Sequence, residues 1–202
     1  MTDSYKTIDG ISEITCRRKG SKFMAFAYHI ESENEIREII GQLKKRYYDA
    51  THHCYAWRIG MRNEQTRAND DGEPSGTAGR PILGQIVSAG LTNVLVVVVR
   101  YFGGTKLGTT GLIEAYKTSA AEALNAAKAV ERTYKAYYNV VFGYMATNAV
   151  MKAIKDTCAT IHSMVSDNVC SIKLSIRTSD EKELKKRIGK CEGAEMELEY
   201  YA

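Results

Sequence analysis

Apolar and polar positions change their period several times along the chain, and each change marks an element. Residues 11–18 and 21–30 are β-rich segments separated by Gly20, with Phe23, Ala25 and Ala27 on one parity and Met24, Phe26 and Tyr28 on the other. That alternation predicts a hairpin. The period then becomes helical. Ile36, Ile39, Ile40 and Leu43 form one stripe, and Ser32 and Glu35 have capping-box spacing. Glu31, Glu33 and Glu35 fall at the positive end of this helix and Lys44, Lys45 and Arg46 at its negative end, so the basic triplet reads as a solvated helix end that answers the dipole. Residues 53–59 predict a third strand. Residues 61–79 are polar, acidic and glycine-rich without any period, which predicts a long loop of the kind that usually carries function.

After that loop, Ile82, Leu83, Ile86 and Val87 recur at helical spacing between Pro81, suited to a first turn, and Gly90, suited to the position after the last. Residues 93–100 form a valine-rich strand, apolar on both parities and therefore expected to be covered on both faces. Thr109 or Thr110 caps a helix reaching about Lys128, with Leu112, Tyr116, Ala120, Ala123 and Ala127 on the buried side. The helical pattern stops at residues 129–133, which places a domain boundary there and divides the chain into 1–132 and 133–202. The second part reads strand 134–144, helix 147–157 capped by Thr147, strand 158–166, a turn at Ser166-Asp167-Asn168, strand 169–177, helix 179–190 capped by Ser179, and strand 194–201. This βαββαβ order is the ferredoxin-like arrangement.

Composition is that of an ordinary globular protein, and 202 residues suffice for one large or two small cores. The net charge of +4 is spread as +3 over residues 1–133 (18 basic, 15 acidic) and +1 over 134–202 (10 basic, 9 acidic). Neither part is a basic arm, although contact with RNA is permitted. No apolar stretch approaches a membrane span and no signal-peptide pattern opens the chain, so the expected location is cytoplasmic. Cys16, Cys54, Cys158, Cys170 and Cys191 are widely spaced without a C-x-x-C pair, which suits reduced thiols rather than disulfides or structural zinc.

Candidate chemistry gathers in two glycine-rich segments, 70–79 and 103–108, each where a strand meets a helix. Such corners can aim several N–H groups at one anion. Ser75, Gly76, Thr77, Gly103, Gly104, Lys106 and Gly108 are therefore candidate phosphate-binding residues. A nucleotide-hydrolysing P-loop is excluded, because Thr109 stands where that motif needs lysine. Asp70, Asp71 and Glu73 are candidate ligands or general bases. Arg100, ending an apolar strand, needs a carboxylate partner, and an ion pair with Asp71 or Glu73 is preferred over metal binding. No metal site and no cofactor are predicted. His53 is a candidate site residue facing the loops, although a structural histidine is preferred. It alternates in direction with Cys54, so the two cannot form a side-by-side nucleophilic pair.

The motifs Ala50-Thr51-His52-His53-Cys54-Tyr55-Ala56, Asp70-Asp71-Gly72-Glu73-Pro74-Ser75-Gly76-Thr77-Ala78-Gly79-Arg80-Pro81 and Val97-Val98-Val99-Arg100-Tyr101-Phe102-Gly103-Gly104-Thr105-Lys106-Leu107-Gly108 together resemble the YigZ/IMPACT family. The resemblance implies an α+β protein of two domains. The first would be an N-terminal α/β domain of the ribosomal-protein-S-five domain-two superfamily, the second a ferredoxin-like domain similar to domain V of elongation factor G. It departs from the family after the third motif, where Thr109-Thr110-Gly111 replaces the usual Gly-Gly. Eukaryotic relatives carry a further N-terminal domain and look like regulators of translation initiation. The family has no catalytic reaction to pass on.

The expected function is a cytoplasmic, translation-associated binding or regulatory protein that contacts RNA, the ribosome or a translation factor. One alternative is an enzyme acting on a small phosphorylated or nucleotide substrate at the glycine-rich loops. Another is a scaffold that binds protein only. The oligomeric state is left open.

Overall fold

The computed structural model describes residues 3–60, 64–167 and 169–201. Its elements in chain order are β1 (Ser4–Asp9), β2 (Ile11–Arg18), β3 (Ser21–His29), α1 (Glu33–Arg46), β4 (His52–Ile59), β5 (Gln65–Asn69), α2 (Gly79–Ser88), β6 (Val94–Tyr101), α3 (Gly108–Ala126) and β7 (Lys128–Thr133). There follow β8 (Lys135–Phe142), α4 (Thr147–Asp156), β9 (Thr160–Ser166), β10 (Cys170–Arg177), α5 (Glu181–Ile188) and β11 (Glu195–Tyr201). The chain forms two compact units, Lys6–Arg132 and a second in which residues 3–5 join residues 133–201. β1 and β7 pair with each other in a two-stranded sheet.

In the first unit a five-stranded sheet has the order β2-β3-β6-β4-β5, and every pair in it is antiparallel. The unit is therefore α+β rather than α/β in the strict sense. Val94, Leu95, Val96, Val97, Val98 and Val99 of central β6 are all fully buried because both faces of the sheet are covered. Val94, Val96 and Val98 pack with Ile82 and Ile86 of α2 and Leu112 and Tyr116 of α3. Leu95, Val97 and Val99 pack with Ile36 and Leu43 of α1 and with Trp57. At roughly 1.5–3 kcal/mol for each buried side chain of this size, β6 is the main anchor of the unit.

Local signals mostly hold. The β2–β3 turn places Lys19 and Gly20 at φ 43° and 82°, the two positive values that a two-residue hairpin turn requires. Ser32 caps α1, and the returning Glu35 carboxylate accepts the N–H of Glu31 rather than that of Ser32. α2 ends in a Schellman motif, with Gly90 N–H donating to the Val87 carbonyl at 2.9 Å and Leu91 N–H to that of Ile86 at 3.2 Å.

Several expectations are corrected. Residues 65–69, assigned to a loop, form β5: an exposed edge strand, polar apart from Ala68, held to β4 by backbone bonds, so no apolar period announces it. Residues 61–63 of that loop lie outside the described residues, as does Asn168 of the turn in the second part. Neither Thr109 nor Thr110 caps α3, which begins at Gly108 with Leu107 at the cap position. Thr147 is the first residue of α4 and bonds back to the Tyr144 carbonyl, while Ser179 precedes the Asp180 cap and donates to the Asp3 carboxylate.

The second unit has a four-stranded antiparallel sheet of order β11-β8-β10-β9. α4 and α5 bury Val150, Ile154, Leu184 and Ile188 against Tyr138, Val140, Ile172 and Leu174 on one face of it. The chain thus runs βαββαβ, with its first and third strands central.

Candidate functional site

Asp70 follows directly on β5, and its carboxylate accepts three backbone N–H groups, from Gly76 at 2.8 Å, Ala78 at 3.0 Å and Gly79 at 2.8 Å. Burial alone would raise this carboxyl, but the bonds from Gly76, Gly79 and Ala78, together with the Arg80 charge, outweigh it and hold it below the usual carboxylate range. The start of α2, a natural anion position, is thus occupied by the chain's own Asp70. Thr77 is likewise turned inward, its N–H and hydroxyl both donating to the Pro74 carbonyl, while Ser75 stays exposed.

Asp71 points the other way. Its carboxylate accepts the His53 N–H at 2.7 Å and the Lys44 ammonium at 3.1 Å. Burial opposes its ionisation, but these two donors prevail and lower its pKa. The His53 ring is buried against the Tyr47 carbonyl at 3.1 Å, and burial pushes its pKa down. Cys54 lies on the opposite side of β4, with Sγ 3.0 Å from the Asp70 carbonyl and 3.3 Å from the Tyr116 hydroxyl. Burial pushes this thiol far above its ordinary value, which leaves it inert.

Glu73 and Arg100 are the link between the two glycine-rich segments. They are 8% and 5% exposed, and Arg100 Nη1 donates to Glu73 Oε1 at 2.5 Å. The ion pair expected of Arg100 is therefore made with Glu73, and Asp71 takes Lys44 instead. The Tyr116 hydroxyl donates to the same Glu73 oxygen at 2.7 Å, and Arg100 Nη2 reaches Ser21 Oγ at 3.4 Å. The guanidinium is close to two rings, 5.4 Å from the centre of Phe23 and 5.7 Å from that of Phe102. The buried Cys54, Tyr116, Glu73, Arg100 and Ser21 side chains form one connected network under the loops.

Gly103 and Gly104 find their neighbours in the β2–β3 turn. Gly103 N–H donates to Ser21 Oγ at 3.2 Å, and a Cβ on Gly103 would collide with the backbone of Gly20 and Ser21. This close approach joins the exposed 103–106 loop at Gly103 to the β2–β3 turn, which is flanked in sequence by Arg17, Arg18, Lys19 and Lys22. Phe102, 48% exposed, is at the same corner, its N–H held by Thr51 Oγ1. Gly108 opens α3, whose first turn has no side-chain cap and contains no acidic residue.

The candidate residues thus divide into two groups. In the first, Asp70 binds Gly76, Asp71 binds His53 and Glu73 binds Arg100, while Thr77 is turned onto the Pro74 carbonyl and the exposed Ser75 stands apart. In the second, Gly103, Gly104, Lys106 and Gly108 are exposed, in the loop that meets the basic β2–β3 turn, a cationic corner, and at the start of α3. The basic residues of that corner within 17–22 are not among the residues the sequence pattern singled out, although four cations in six positions is a charge signal in its own right. Among the described residues, no group of three His, Cys, Asp or Glu side chains is arranged to hold a metal ion. No helix of the described residues is long and apolar enough to cross a membrane.

Comparison with known proteins gives the lineage. YvyE of Bacillus subtilis (strain 168), an IMPACT family member, is 43% identical over 132 residues, 65% of this chain and 61% of that protein. YigZ of Escherichia coli (strain K12) is 39% identical over 108 residues, 52% of this chain and 53% of that protein. A Thermus thermophilus family member is 50% identical over 107 residues, 53% of this chain and 56% of its own length. The matches therefore span between about half and three-fifths of these relatives. A crystal structure of a hypothetical protein superimposes with a TM-score of 0.73 at 24% identity, covering 98% of this chain and 97% of that one, which shows a shared fold. The Impact N-terminal domain family matches residues 19–124, the stretch from the β2–β3 turn through both glycine-rich segments into α3, and the chain belongs to the IMPACT family.

Proposed function

We propose that the protein is a cytoplasmic, translation-associated binding protein whose cationic corner contacts RNA phosphates. The observation that carries this is the packing of the Arg17-Arg18-Lys19-Gly20-Ser21-Lys22 turn against the Gly103-Gly104-Thr105-Lys106 loop. It brings the four cations of the turn to the end of the sheet where the exposed loop backbone and the exposed Phe102 ring emerge, with Lys106 three residues beyond Gly103. Lys and Arg side chains and backbone N–H groups at a helix start are the donors that phosphate recognition uses. The translation setting rests on the family resemblance, in which the first unit is akin to domain two of ribosomal protein S five and the ferredoxin-like second unit to domain V of elongation factor G. Chemistry at the acidic segment is disfavoured, since Asp70, Asp71 and Glu73 are each committed to donors of the chain itself.

The test is the affinity of the purified protein for transfer RNA and for a ribosomal RNA hairpin as salt is varied. The logarithm of affinity is expected to fall linearly with the logarithm of salt concentration, by about 0.7–0.9 for each phosphate neutralised. The exposed double substitution Arg17→Glu/Arg18→Glu should weaken binding and flatten that slope by about 1 for each phosphate left without its cation. Absence of salt-dependent binding, or a double variant that binds like the parent, overturns the proposal.

A further inference from the structure

The second unit carries a different feature on the sheet face away from α4 and α5. Along β8, Ala136, Tyr138, Val140 and Phe142 point into the core, so Lys135, Tyr137, Asn139 and Val141 belong to the open face. Tyr200 of β11 is the register partner of Tyr137, and the two rings stack at 4.4 Å with planes 12° apart. On the other side of Tyr137, the exposed His162 of β9 leans over Ser175 of β10. Its ring stacks on Tyr137 at 5.5 Å and 20°, with Nε2 2.8 Å from Ser175 Oγ. A side chain as small as serine at position 175 leaves room for the two rings to meet above it.

The result is a three-ring column across the sheet, Tyr200–Tyr137–His162, whose end members sit on the two edge strands. Tyr200 is 52% exposed. Two residues along, at the next pair on the same face, Lys135 and Arg177 are directly opposed across β8 and β10. Like charges directly opposite destabilise a sheet. No ion pair joins either cation to a carboxylate of the described residues, so this end of the face offers two adjacent positive charges beside stacked aromatic rings. The other end differs: Lys173 is paired with Glu199 at 2.8 Å, and Glu195 and Glu197 flank it.

The geometry points to a binding site for single-stranded nucleic acid on this face. Unpaired bases extend the ring column at the outer faces of Tyr200 and His162, and Lys135 and Arg177 take the phosphate between them. A duplex hides its base faces and cannot stack in this way, whereas every unpaired base has a face to offer. The acidic far end confines the footprint to a few nucleotides. This surface belongs to the second unit, whereas the cationic corner belongs to the first.

The experiment uses the full chain carrying Arg17→Glu/Arg18→Glu, which removes the corner's contribution, and a short labelled single-stranded RNA of mixed sequence beside its duplex. In fluorescence anisotropy the single strand should bind more tightly than the duplex. Tyr200→Ala should weaken single-strand binding about fivefold or more, the loss of one stacked base, while Tyr200→Phe keeps it. Tyr200→Trp supplies an independent readout, because the protein's one other tryptophan, Trp57, is buried. Its fluorescence should be quenched by the single strand. Equal binding of duplex and single strand, no single-strand binding, unchanged affinity in Tyr200→Ala, or unquenched Tyr200→Trp fluorescence each overturns the inference. Weaker binding by Arg17→Glu/Arg18→Glu alone, with the Tyr200 responses intact, would implicate the corner and leave this site standing.

Discussion

Arg100 shows most plainly how single residues hold the site. Its guanidinium is buried, within cation–π range of Phe23 and Phe102, and neutralised by one carboxylate that Tyr116 also bonds. Replacing it by leucine strands the Glu73 charge. Arg100→Leu should therefore lower stability by roughly 3–5 kcal/mol in urea unfolding, and Arg100→Leu/Glu73→Leu should recover part of the loss. The same scale sets the acid response. The folded-state pKa of His53 is lowered, so its contribution is complete above the ordinary imidazole value of about 6.5 and is lost as pH falls through the lower folded value. Asp70 and Asp71 are also lowered, so their contributions are complete above about pH 3.9 and are lost as pH falls through the depressed values. Unfolding measured across the acid range should show loss beginning below neutrality and steepening in strong acid, and Asp70→Asn should reduce the steeper part. That Arg100 needs a carboxylate was legible from its position at the end of an apolar strand. Which one it takes was not, because Asp71 and Glu73 differ only in where the loop turns them.

At the scale of elements, backbone packing separates glycines that look alike in sequence. Gly103 lies against the β2–β3 turn, whereas a Cβ at Gly84 in α2 meets nothing within 4 Å. Gly103→Ala must displace the turn and is expected to cost stability and any RNA affinity of the cationic corner together. Gly84→Ala should raise stability by about 1 kcal/mol or less through helix propensity, with that affinity unchanged. Thermal unfolding and the same binding titration check both. β2, β3, α1, β6 and the Gly90 helix end were legible because each has a local period or cap. β1, β5 and β7 were not. β5 has one apolar residue, Ala68, and its reason for being a strand is the free edge of β4.

For the whole molecule, the N-terminal residues belong with the far end of the chain. The Tyr134 N–H donates to the Asp3 carbonyl at 2.6 Å, and Ser179 donates to the Asp3 carboxylate at 3.0 Å. A chain beginning at Lys6 should lose on the order of 1 kcal/mol per bond from the second unit, visible as earlier hydrogen exchange at Tyr134 and in β8. No local pattern predicts this, since Ser179 and Asp3 are separated by 176 positions and Tyr134 is likewise remote from Asp3 in the chain. By itself the sequence determined the βαββαβ order, the doubly covered β6 and the family, because periodicity, caps and motifs are properties of neighbouring residues. Only the tertiary structure decided that Asp70 fills the anion position at α2, that the 17–22 turn meets the 103–106 loop, and that Tyr200, Tyr137 and His162 stack in one column. Each of these depends on strand register and on which distant backbone a loop packs against, and both are set by the folded core.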